Sequence, residues 1–82
     1  LVNFFYGEMY RQRNEAGDRE LAVAAYRAAV ESGGAPPEAH KNLGYLYLKD
    51  KDIAGAQAAF RLYLDAAPDA SDRAMIEFYL EE

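Results

Sequence analysis

Chemistry, if this chain performed any, would have to run through a short roster of side chains. His40 is the only histidine and there is no cysteine. A zinc-binding His pair at i and i+4, or a Cys/His zinc site, therefore cannot be built. Asp50, Asp52, Glu77, Glu81 and Glu82 could be paired carboxylates for acid–base work or for calcium. The stretch Lys49-Asp50-Lys51-Asp52, however, alternates in sign and reads as a solvated turn with a helix cap. It lacks the Asp/Asn ladder followed by Gly of an EF-hand loop. Gly33-Gly34 has no Gly-Lys-Ser/Thr ending and so is a hinge, not a phosphate cradle. Ser32 and Ser71 have no histidine left over to form a triad, and His40 has no base, nucleophile or ligand close by in sequence. Those residues predict no enzyme, no bound metal and no cofactor, with His40 acting as an aromatic-like packing residue.

Composition narrows the class further. The 82 residues allow one small domain, which buries roughly 60% of the surface of its unfolded chain. The formal net charge is −5, with nine Lys and Arg scattered among fourteen acids. That argues against nucleic acid, which requires a clustered basic face. No apolar run approaches the ~20 residues of a membrane span, so no membrane insertion is expected. The compartment is left open. The first residues, Leu1-Val2-Asn3-Phe4-Phe5, carry neither an initiator Met nor a basic leader, and the expectation is a piece of a longer protein.

The elements that must hold these residues are all helices. Phe5, Tyr6, Met9 and Tyr10 follow helical spacing from about Val2 to Asn14. Gly17 breaks that helix, and Asp18 is the expected N-cap of a second one to about Ser32. Gly33-Gly34-Ala35-Pro36-Pro37 is the strongest punctuation. A third helix carries Ala39, His40, Leu43, Gly44, Tyr47 and Leu48. Asp52 should cap a fourth to about Ala67, which Pro68 stops, and Asp69 or Ser71 a fifth from about Asp72 to Leu80. Nothing reads as a strand.

Two of these helix pairs repeat at an offset of 34 residues. Gly17, Ala22, Tyr26 and Val30 recur as Lys51, Ala56, Phe60 and Leu64, and Tyr6 and Met9 map onto His40 and Leu43. The expected core is the seam of Met9, Ala22, Ala25, Tyr26, Leu43, Gly44, Tyr47, Ala56 and Phe60, with the hydroxyls of Tyr26, Tyr47 and Tyr63 at its edge.

In this order the residues resemble the tetratricopeptide repeat (TPR) family. The second unit carries His40, Leu43-Gly44, Tyr47, Lys51 where Gly is usual, Ile53, Ala56, Phe60 and Pro68. The first keeps Tyr6, Gly17, Ala22, Tyr26 and Ala29, with Met9-Tyr10 in place of Leu-Gly and Arg13 in place of the next aromatic. The resemblance implies an all-α fold of two stacked helical hairpins in a right-handed superhelix. Repeat one would cover about residues 3–36, repeat two about 37–70, and a capping helix about 71–81. It also implies a concave face lined by the first helix of each unit, and with it a protein or peptide ligand. On that face would stand Glu8, Arg11 and Asn14 opposite Lys41, Asn42 and Tyr45, either as a peptide-binding strip or as a solvated surface. In the binding reading Tyr45 is the flat contact, while Lys41 and Arg11 meet carboxylates. The Lys-and-Asn clamp of chaperone-binding relatives is half present, since Lys41 matches and Tyr45 replaces the Asn. A second, shorter resemblance links Gly7-Glu8-Met9-Tyr10-Arg11 and residues 69–76 to the TPR tail of some bacterial zinc metallopeptidases. That would make the chain the non-catalytic tail of an enzyme.

Finally, both ends are apolar over more than one face. Met75, Ile76, Phe78, Tyr79 and Leu80 spread over roughly 200° of arc, and Leu1, Val2, Phe4, Phe5, Tyr6, Met9 and Tyr10 over more. One neighbour covers a stripe of only ~100°. A missing repeat, the rest of the parent, or a second copy in a homo-oligomer would cover the surplus.

Overall fold

A computed structural model describes residues 2–80. Five helices follow one another: α1 (Val2–Arg13), α2 (Asp18–Glu31), α3 (Glu38–Lys49), α4 (Ile53–Ala66) and α5 (Arg73–Tyr79). No strand occurs among the described residues. α1 packs on α2 and α3 on α4 as antiparallel hairpins; α2 then meets α3, and α4 meets α5. The result is an all-α, TPR-like stack measuring 30 × 27 × 19 Å. Leu1 and Glu81, which the sequence reading placed in the end helices, lie outside the described residues, as does Glu82.

Each hairpin closes on a glycine. A Cβ on Gly7 would stand 2.7 Å from the ring of Tyr26, and one on Gly44 would collide with the ring of Phe60. Only hydrogen at these positions lets an aromatic from the second helix lie flat on the first. Gly7 and Tyr10 thus match Gly44 and Tyr47, a shift from the 34-residue period that the second helices obey. Three extra residues lie between glycine and turn in the first hairpin, Gly7 to Gly17 against Gly44 to Lys51. Gly17 and Lys51 occupy the same turn position, with φ of 82° and 62°. Asn14, at φ 54°, ends α1 three residues before Gly17 and takes up the surplus. The first unit therefore does contain the small residue followed by an aromatic, three places before Met9-Tyr10 and Arg13, where the sequence reading put them.

This register corrects the expected core. Tyr26, Phe60, Ala22 and Ala56 are fully buried and Leu43 nearly so. Ala25 and Tyr47 are half-buried. Met9 is 43% exposed, because it matches Leu46, not Leu43. Leu46 packs under α2 of the preceding hairpin, and no hairpin precedes α1 among the described residues. Tyr63 is buried as expected, and the buried residues outside the expected core are Gly7, Ala29, Ala39, Leu46, Ala59, Leu64 and, from α5, Ile76, with Asp18 the one buried charge among the described residues.

Two expected caps also move. Gly17, not Asp18, is the N-cap of α2. The extra residues bring Asp18 into the helix, where it is 2% exposed and accepts two 2.8 Å bonds from Arg13 and one from the Glu15 N–H at 2.9 Å. Its counterpart Asp52 does cap α4, accepting from the Gly55 N–H at 3.0 Å. At α5 the N-cap is Asp72, not Asp69 or Ser71, and its carboxylate serves α3 and α4 instead of its own helix. Arg19 on α2 reaches Asp50 at 2.7 Å and ties the turn regions of the two hairpins together.

Candidate functional site

The first helices α1 and α3 lie side by side, and the tip of Tyr26 comes up between them. Its ring is buried by Gly7 and Phe4, so only the hydroxyl reaches the surface. There the hydroxyl donates to Glu8 and accepts from Arg11 Nε at 3.1 Å and Asn42 Nδ2 at 3.3 Å. Asn42 also donates to Glu8 Oε1 at 2.9 Å, and Arg11 closes on both Glu8 oxygens at 3.2 and 3.3 Å. Burial and the bond to Glu8 push the Tyr26 phenol up to about 12. Burial works against charge on Arg11, yet its bonds to Tyr26 and Glu8 outweigh that and hold the guanidinium above its ordinary value. Three of the six groove residues inferred from sequence thus form one knot, with Tyr26 at its centre. Tyr26 was assigned to the core for its ring; its hydroxyl as the link between Glu8 and Asn42 was not foreseen.

The other three are placed differently. Lys41 donates to Asp72 at 3.0 Å, and its ammonium lies 5.3 Å over the ring of Tyr63, which itself donates to Asp72 at 2.7 Å. The bond to Asp72 raises the Lys41 pKa; the Tyr63 hydroxyl, joined by Lys41, lowers that of Asp72. Tyr45 is half-buried, edge-on to Phe60 at 5.3 Å and to Tyr79 at 6.0 Å. It is a wall of the groove braced by α5, not a free-standing ring. Asn14 is exposed in the α1–α2 turn and joins neither group.

Between these features lies a groove of about 410 Å³ lined by Arg11, Asn42, Tyr45, Leu46, Leu48 and Lys49. A second hollow, about 370 Å³, opens between α2, α3 and α4, with Val30, Leu43, Tyr47 and Leu62 among its apolar walls and Arg27, Glu31 and Asp52 among its charged ones. His40 lines this second hollow, where burial lowers its pKa. No group of three or more His, Cys, Asp or Glu able to hold a metal occurs among the described residues. No helix there is long and apolar enough to cross a membrane.

The chain is 40% identical over 50 residues to the anaphase-promoting complex subunit CDC16 of Saccharomyces cerevisiae. The match takes in 61% of this chain and 6% of that protein, so the chain spans a small fraction of the relative's length. No family model matches, and no solved structure matches. Together with the five-helix stack, the similarity supports a TPR-like helical repeat. It lends nothing to the resemblance to bacterial metallopeptidase tails.

Proposed function

We propose that this chain is a non-catalytic interaction module that receives a peptide or protein segment in the groove between α1 and α3. The observation that carries the reading is the groove itself. Arg11, Asn42 and Tyr45, assigned to a binding strip on sequence grounds, line one hollow of about 410 Å³. Its walls are braced by neighbouring helices, so a ligand meets a pre-formed surface and pays little to order it. The related yeast protein is by name a subunit of a complex, which suits a chain built for contact. No observation favours the metallopeptidase-tail alternative. Self-association retains one supporting observation, the exposed apolar face of α1 formed by Val2, Tyr6 and Met9.

The test is a random-peptide display selection against the intact chain, followed by two obstructing variants at exposed positions. Lys49→Trp fills the groove, and Leu62→Trp fills the hollow on the other side. Selected peptides should lose binding to Lys49→Trp and keep it with Leu62→Trp. The reverse pattern would move the site to the second hollow and overturn the proposal.

A further inference from the structure

The hollow between α2, α3 and α4 exists because α4 holds back from α2. α2 packs on α3 and α3 on α4, yet α2 and α4 are not among the packed helix pairs. Where α4 lines the hollow it presents Gly55, Ala58 and Ala59, whose side chains are too short to close the gap. α3 supplies Leu43 and Tyr47, while Val30 of α2 and Leu62 of α4 complete the apolar surface. The space of about 370 Å³ equals the liquid volume of about twelve water molecules. It suits a ligand of about that many non-hydrogen atoms. Mostly apolar walls with a few polar groups, set between helices, are the usual make-up of a small-molecule site.

The charges of the hollow select the sign of that ligand. Glu31 and Asp52 set two carboxylates against the one guanidinium of Arg27, in a chain of net charge −5. Neither Arg27 nor Glu31 makes an ion pair among the described residues. Glu31 is the last residue of α2, whose last turn carries no base, so its carboxylate adds to the negative end of the helix dipole. Arg27 lies one turn further back and is exposed, with its head free to stay in water. Burial disfavours the protonated form of His40, so the imidazole adds little positive charge. An anion entering the hollow therefore meets two like charges, and a cation meets two opposite ones.

We propose that this hollow is a second binding site, independent of the groove between α1 and α3, and that its ligand is a small apolar amine. The aromatic or aliphatic body rests on Val30, Leu43, Tyr47 and Leu62, and the ammonium group meets Glu31 at the end of α2. Removal of apolar surface from water supplies most of the affinity. A ligand of about a dozen non-hydrogen atoms then binds with a Kd of about 1 mM or tighter. The exposed contact between ammonium and carboxylate adds a preference of about two- to fivefold and weakens with salt.

Three probes of similar size test this on the intact chain: naphthylethylamine, naphthylethanol and naphthylacetate, which are cationic, neutral and anionic near neutral pH. Each is titrated into the labelled chain and followed by amide chemical shifts. The amine should bind most tightly and the acid most weakly, with shifts centred on Val30, Leu43 and Leu62. Glu31→Gln, at an exposed position, should weaken the amine by about two- to fivefold and leave the alcohol unchanged. Arg27→Gln should strengthen the amine by a similar factor. Leu62→Trp should block all three probes, and Lys49→Trp should block none, with helical circular dichroism unchanged in every variant. Equal affinity for the three probes, or a preference for the acid that Arg27→Gln removes, would overturn the amine assignment. Absence of shifts in the hollow at several times the expected Kd, or binding that survives Leu62→Trp, would overturn the site itself.

Discussion

Gly44→Ala adds one methyl group, and the structure assigns it a large cost. The new Cβ would intrude into the ring of Phe60. That ring cannot swing aside freely, being stacked on Tyr79 at 5.2 Å and met edge-on by Tyr45 at 5.3 Å. Inserting a methyl group into so closed a site costs about 3 kcal/mol, the upper part of the usual range for overpacking. Against this, replacing Gly by Ala inside a helix gains about 1 kcal/mol of helix propensity. The net is a loss of about 2 kcal/mol. For a chain of 82 residues, where about 1 kcal/mol moves the midpoint by 4–8 °C, Tm should fall by about 10 °C or more. Thermal unfolding followed at 222 nm by circular dichroism reads this directly (the helix wavelength is a standard choice). Gly34→Ala is the control. Nothing lies within 4 Å of its added Cβ, so its Tm should stay level or rise slightly. Phe60→Leu placed in the Gly44→Ala background should recover part of the loss, because the two sites share one space. A Tm for Gly44→Ala equal to or above wild type would refute the close approach on which the second hairpin is built.

Three further outcomes follow from particular residues. Lys51 holds φ of 62° where its counterpart is Gly17, so Lys51→Gly should raise stability by about 0.5–1 kcal/mol in urea unfolding, and a loss would contradict the left-handed turn. Arg13, together with the Glu15 N–H, holds the Asp18 carboxyl at about 2, below its ordinary 3.8; the stability it gives is complete above about pH 4 and is lost as pH falls through about 2. Melting curves from pH 6 to pH 2 should show that fall in wild type and a flatter profile in Asp18→Asn, and parallel profiles would count against the ion pair. Met9→Ala should cost less than about 0.5 kcal/mol, whereas Leu46→Ala, at the matching buried position, should cost about 2–5 kcal/mol; equal costs would contradict the three-residue shift of α1.

How much of this was legible in the sequence depended on whether a signal was local. The five helices were, because Gly17, Gly33-Gly34, Pro36-Pro37 and Pro68 interrupt the apolar periodicity within a few residues. The register of the first hairpin was written there too, as Gly7 and Tyr10 matching Gly44 and Tyr47. A single 34-residue offset hides it, since the three extra residues fall between α1 and its turn. Asp18 looked like a cap because residue type and position are right for one; only the fold shows that Arg13 claims its carboxylate. The groove was legible as a set of residues on the first helices. Its charge state was not, for the partners that neutralise Lys41 and brace Tyr45 come from α5, about thirty residues further along the chain. Arg11 and Glu8 look like free charges until Tyr26 and Asn42 are brought between them.

The claim that α1 and α3 offer the binding surface is tested most directly by amide chemical-shift mapping. A display-selected peptide is titrated into the uniformly labelled chain, and perturbed residues are located in the fold. The account predicts that the largest shifts fall on Arg11, Asn42, Tyr45, Leu48 and Lys49, with Tyr79 responding through its contact with Tyr45. Shifts centred on Arg27, His40, Ala58 and Leu62, the walls of the opposite hollow, with the groove residues unmoved, would contradict it.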